Sequence, residues 1–98
     1  MYDIRYTKLA KNDLDEIFQL IYEDKPSMSI TYIDKLYNFI SLLITNPLMG
    51  IECKRKNINK NCRVLIYENY LIFYTLDEEN IVILRVLNRY MDYKKEIL

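Results

Sequence analysis

The chain has 98 residues, 51% of them hydrophobic, with 14 basic and 14 acidic side chains and no histidine. That length bounds it to one domain with a thin core, and the apolar content excludes a disordered chain. Zero net charge counts against a general nucleic-acid binder, which is ordinarily basic. The missing histidine removes the usual neutral-pH acid–base and the commonest metal ligand. Two cysteines alone make no zinc site in a familiar spacing, so neither metal nor cofactor is expected.

The Met1-Tyr2-Asp3-Ile4-Arg5 start is not a signal peptide, and no apolar run reaches the roughly 18 residues of a membrane span. A cytoplasmic protein without a membrane partner is expected. Cys53 and Cys62 then read as reduced thiols with incidental roles; a secreted chain with one disulfide is the alternative. With one Gly and two Pro in the chain, most residues should sit in regular elements joined by tight links.

Residues 2–6 alternate apolar and charged side chains, the pattern of a half-buried strand. Thr7 offers a helix N-cap. Ala10, Leu14, Ile17, Phe18 and Ile21 follow at helical spacing as one stripe, with Lys11, Asp13, Asp15 and Glu16 outside it. Glu23-Asp24-Lys25-Pro26 ends this helix. Ser27 or Ser29 caps a second helix whose apolar face is Ile33, Leu36, Ile40, Leu43 and Ile44. Asn46-Pro47 stops it and Gly50 completes the turn. Two helices with so short a link form an antiparallel hairpin, which needs a sheet to cover its stripes.

Residues 52–61 are polar and basic, a loop or an exposed arm. Three apolar runs follow, over residues 63–67, 70–76 and 81–87, joined by Glu68-Asn69 and by Asp77-Glu78-Glu79-Asn80. Such short links make them antiparallel neighbours. The second run is apolar on both faces and belongs in the middle of the meander. Residues 88–98 end in one or two helical turns. The predicted class is α+β, a helical hairpin packed on an antiparallel sheet in the order β-α-α-β-β-β-short α. Leu14, Ile17, Phe18, Ile33, Leu36, Ile40, Ile72, Tyr74, Ile83 and Val86 should supply much of its core.

This order, with Thr7, Ala10, Asp13-Leu14 and Ile17 on the first helix, Asn46-Pro47 and Gly50 after the second, Arg63-Val64-Leu65 opening the next strand, Tyr70-Leu71-Ile72-Phe73-Tyr74 on the central one, and Ile83-Leu84-Arg85-Val86-Leu87 followed by Asp92, resembles the ParE/RelE family of bacterial toxins over nearly the whole chain. The resemblance implies a type II toxin–antitoxin toxin neutralised by a cognate antitoxin, in a toxin–antitoxin hetero-oligomer. RelE-like members cut messenger RNA on the ribosome, whereas ParE-like members poison DNA gyrase; a shared fold cannot separate them. RNA cleavage needs a group to activate the ribose 2′-hydroxyl, a positive charge for the phosphorane and a proton donor. The nuclease pattern puts Arg where Leu71 stands, and Val64-Leu65-Ile66 lacks its lysines. The ParE-like branch and a gyrase target follow. Ribosome and mRNA are the alternative partners, with Arg63, Arg89 and Tyr93 as the nuclease candidates. An inactive member serving only as a binding module is a third reading.

Charge along the chain adds candidate surfaces. Residues 51–63 carry Lys54, Arg55, Lys56, Lys60 and Arg63 against Glu52 alone, and residues 64–84 carry four acids and no base. The Lys54-Arg55-Lys56 run is either a solvated loop or a docking arm for an acidic antitoxin segment or for DNA held by gyrase, salt-sensitive in the latter case. Arg85, inside an apolar strand, is either paired structurally with an acid or in contact with antitoxin or target. Arg63, Asn88, Arg89 and Tyr90 complete the expected target-facing surface.

Overall fold

The computed structural model describes residues 2–97. Strand β1 (Asp3–Tyr6) leads into α1 (Lys8–Asp24), α2 (Pro26–Ser41) and a 3-10 turn at Leu42–Ile44. Strand β2 (Ile51–Glu52), a second 3-10 turn (Cys53–Lys56), β3 (Arg63–Tyr67), β4 (Tyr70–Leu76), β5 (Asn80–Asn88) and α3 (Tyr93–Ile97) complete the chain. The α+β class and the element order match the sequence reading. Thr7 caps α1 as expected, its Oγ1 accepting the Ala10 N–H at 3.0 Å. The second helix differs: it begins at Pro26, with Lys25 closing α1 and opening α2. Proline at the first helical position brings a pre-set φ and no orphaned N–H, so neither Ser27 nor Ser29 acts as the cap. Ser29 Oγ instead donates to the Pro26 carbonyl at 2.8 Å.

The sheet runs β1-β5-β4-β3-β2. The three-strand meander is antiparallel throughout, with β4 in the middle. The expected wholly antiparallel sheet is corrected in one respect: β1 pairs with β5 in parallel, Asp3 opposite Asn80 through Tyr6 opposite Ile83. A parallel pair needs a long crossover, and everything between the first and last strands supplies it. In β5 a bulge sets Phe73 opposite Arg85 and Tyr74 opposite Ile83, leaving Leu84 over.

Both long helices cover one face of the sheet. Ala10, Leu14, Ile17, Leu36, Ile40 and Leu43 pack there on Leu65, Ile72, Tyr74, Ile81, Ile83 and Val86. Of the expected core, Phe18 and Ile33 are only half-buried, Phe18 stacking on Tyr22. The opposite face carries a second, smaller core: Val64, Leu71, Phe73 and Leu87 of the sheet meet Cys53, Ile58 and Cys62 of the basic loop and Ile97 of α3. Two apolar faces on β4 demand two covers, and a polar loop provides one of them.

Residues 52–61 are therefore not an exposed arm. Cys53 and Cys62 form a disulfide, which overturns the reading of reduced, incidental thiols. The Cys53 N–H donates to the Cys62 carbonyl at 2.9 Å, and Ile58 is fully buried beneath the loop. No helix among the described residues is long and apolar enough to cross a membrane.

Candidate functional site

The strand β1 stops pairing at Ile83, but β5 continues to Asn88, so its last residues have an edge with no partner strand. The chain fills part of this edge with side chains from α1. Thr7 Oγ1 donates to the Leu84 carbonyl at 2.8 Å. Asp13 Oδ2 accepts the Val86 N–H at 3.0 Å, and the same carboxylate takes Arg85 Nε at 2.8 Å and Nη2 at 2.9 Å. Arg85 Nη1 reaches Glu96 of α3 at 3.4 Å. Its guanidinium is held above its ordinary pKa first by the hydrogen bonds to Asp13, against the opposing effect of burial. Arg85 is thus paired with an acid, and α1, β5 and α3 meet at that pair.

Past it the edge is open. The Asn88 carbonyl is taken by the Met91 N–H at 3.3 Å. The Val86 N–H turns to Asp13, and by the alternation of an antiparallel ladder the Val86 carbonyl and Asn88 N–H share that side, where the sheet order has no further strand among the described residues past the end of β1. An open groove of about 360 Å³ runs along this edge, lined by Glu16, Ile17, Leu20, Val86, Asn88 and Met91. Leu20 is 62% exposed and Met91 43%.

At the end of β5, Asn88 Oδ1 accepts the Tyr90 N–H at 2.8 Å. Arg89 holds the β3–β4 turn through its N–H to the Asn69 carbonyl and through Nη1 to the Glu68 carbonyl at 3.3 Å. Its guanidinium also lies 5.8 Å from the centre of the Tyr90 ring. Tyr90 is 78% exposed. Asn88, Arg89 and Tyr90 form one exposed cluster, without the Arg63 that the sequence reading grouped with them.

Arg63 is elsewhere. Its Nη1 donates to the carbonyls of Gly50 at 2.7 Å and Leu48 at 3.3 Å. The Tyr74 hydroxyl beside it accepts the Gly50 N–H and donates to the Pro47 carbonyl. Arg63 lies opposite Tyr74 and Asn88 opposite Tyr70, so Arg63 and Asn88 are about 13 Å apart along the strand direction, and Arg89 lies one residue further. Tyr93 packs on Phe73 against the second core. Leu71, where a nuclease of this fold would carry Arg, is 2% exposed. The three nuclease candidates do not converge.

Residues 4–93 match the family described as the ParE toxin of the type II toxin–antitoxin system parDE. The chain belongs to the ParE toxin family. Its fold is also that of a solved structure described as the chromosomal ParDE toxin–antitoxin system from P. aeruginosa, at 19% identity and a TM-score of 0.76, with 90% of this chain and 96% of the other covered. No curated protein sequence matches the chain.

Within the ParE frame, sequence reasoning missed three features. Asp13 faces inward, although it was placed outside the α1 stripe. The signal was its spacing: Ala10, Asp13 and Ile17 fall on one helical face. Leu20 and Met91, which wall the groove, were not singled out. The Cys53–Cys62 pairing went unread because a cysteine pair alone does not reveal its redox state. Lys54 and Arg55 stand exposed on the stapled loop and Lys56 is half-buried there. Lys54 Nζ lies 3.1 Å from Glu52, whose carboxyl is held below its usual pKa first by that hydrogen bond.

Proposed function

We propose that this ParE-family toxin inhibits DNA gyrase without cutting RNA, and that a cognate antitoxin neutralises it by lying along the groove between α1 and the open edge of β5. The separation of Arg63, Arg89 and Tyr93 carries the mechanistic half of this reading. Cleavage requires base, acid and phosphate-stabilising charge around one phosphodiester, and here two of the three groups are committed to carbonyls and a core. The groove supports the partner half: an extended antitoxin segment can add backbone hydrogen bonds to the Val86 carbonyl and Asn88 N–H while placing apolar side chains against Leu20 and Met91. Asn88, Arg89 and Tyr90, beside the groove, are the proposed target-facing residues. An antitoxin in the groove would cover the approach to them.

The test adds purified toxin to gyrase with DNA and, separately, to programmed ribosomes. Inhibited supercoiling with intact mRNA is expected, and Arg89→Ala/Tyr90→Ala should weaken inhibition while the fold still melts cooperatively, because both side chains are exposed and only the surface hydrogen bond from Arg89 to the Glu68 carbonyl is lost. Codon-specific cuts with gyrase unaffected would overturn the reading and return Arg63, Arg89 and Tyr93 as catalytic candidates. Silence in both assays would favour a pure binding module. An antitoxin peptide at about 100 times its Kd should stabilise the toxin by about 2.7 kcal/mol; an unchanged melting point would dismiss the groove.

A further inference from the structure

We propose that the loop closed by Cys53–Cys62 is a docking surface for the sugar–phosphate backbone of duplex DNA. The chain as a whole is neutral, but residues 52–63 concentrate five cations against one acid. The fold keeps them in place by several independent means. The disulfide closes the loop, Ile58 anchors its middle in the second core, and the Thr75 hydroxyl donates to the Asn61 carbonyl at 3.3 Å. Asn57, in the left-handed region at φ 61°, ends the 3-10 turn that carries Lys54-Arg55-Lys56. With three residues per turn, successive side chains of such a turn fan out about 120° apart. A flexible loop would lose part of any electrostatic gain in ordering its cations; this one is ordered beforehand. Lys54, Lys60 and Arg63 line an open cleft of about 400 Å³ beside it.

The surface chemistry selects the ligand. Every apolar side chain of residues 52–63, namely Cys53, Ile58 and Cys62, is turned inward. The loop has no anchor of the kind that carries protein–protein affinity. No aromatic residue occurs between residues 52 and 66, so there is no platform on which unpaired bases stack. What remains exposed is Lys54, Arg55 and Lys60 with the amides of Asn57, Asn59 and Asn61. Charged and amide donors of this kind contact phosphate oxygens without reading sequence. The acidic Asp77-Glu78-Glu79 turn follows β4, at the end of the sheet where Arg63 pairs with Tyr74.

This inference does not rest on gyrase as the target, and its test contains none. Binding of a labelled mixed-sequence duplex is followed by fluorescence anisotropy over a range of salt. With Lys54, Arg55 and Lys60 engaged, log K should fall against log salt with a slope of about −3. The variant Lys54→Ala/Arg55→Ala/Lys60→Ala should flatten that slope by about 2–3. Arg55→Glu is the second variant, since Arg55 is exposed and forms no ion pair among the described residues; it should weaken binding about tenfold at low salt. A slope near zero, or a wild-type slope in the triple variant, would overturn the proposal. So would displacement of the duplex by polyglutamate at lower charge concentration than by unlabelled duplex, which would point to an acidic polypeptide instead.

Discussion

Asp13 satisfies two guanidinium donors and one backbone N–H with a single carboxylate, and all of them belong to β5. Removing it leaves Arg85 poorly compensated and the Val86 N–H without a partner. Breaking one side of a buried pair costs about 3–5 kcal/mol. The side chains of Asp13 and Arg85 are 9% and 15% exposed, so Asp13→Ala should lie near the lower figure in urea unfolding. Arg85→Met in the Asp13→Ala background should then cost far less than in wild type, because the charge left behind is gone. Additive losses in that cycle would show that the pair is not the unit of stability. Gly50 is constrained as tightly. A Cβ there would meet Cε1 and the hydroxyl of Tyr74 at 2.7 Å, the hydroxyl that fixes the turn after α2.

Between elements, the decisive contact is the one the loop makes with the back of the sheet. Closing a ten-residue loop by a disulfide stabilises by about 2.7 kcal/mol in the chain-entropy account, and the two cysteines are nine apart in sequence. Cys53→Ser/Cys62→Ser should lower the unfolding free energy measured in urea by that order, and an unchanged value would show that Ile58 alone secures the loop. Helices, meander and tail were legible because each repeats an apolar period over enough residues to define a face. The loop was not, because its fold depends on one disulfide and one isoleucine amid charges, which carry no period. The parallel sense of β1 was equally hidden: alternation in residues 2–6 reports a half-buried strand and is silent on direction.

Across the whole molecule, ten tyrosines and no histidine move the pH response out of the neutral range. Burial is the largest cause raising the hydroxyl pKa of Tyr6, Tyr32, Tyr37, Tyr70 and Tyr74; the Glu68 carboxylate adds to it at Tyr32 and Tyr70. Their folded pKa lies above the unfolded value of about 10. Above that pH the unfolded chain sheds protons that the folded one keeps, so stability is whole below about pH 10 and declines above it. Thermal melts should show a falling midpoint from about pH 10 upward, and a flat profile there would contradict the burial of these hydroxyls. Of the candidate surface, the Asn88-Arg89-Tyr90 cluster was legible from residue type and position near the tail. The groove was not, because it exists only where β1 ends short of β5, a difference in strand length that no local pattern records.

The parallel pairing of β1 with β5 also bears on how the protein is made. The first strand waits for the last, and Asp13 waits for an arginine 72 residues further along. While the chain is being synthesised, the helical hairpin emerges with its apolar face uncovered and its carboxylate unmatched. Contacts of such sequence separation delay folding and leave sheet edges open in the interim. The open end of β5 and the Asn88-Arg89-Tyr90 cluster are translated after both long helices and the other four strands. A ribosome that stalls or a message that is truncated before β5 therefore yields a chain without its proposed toxic surface, so the topology itself withholds that surface until the last strand has been made.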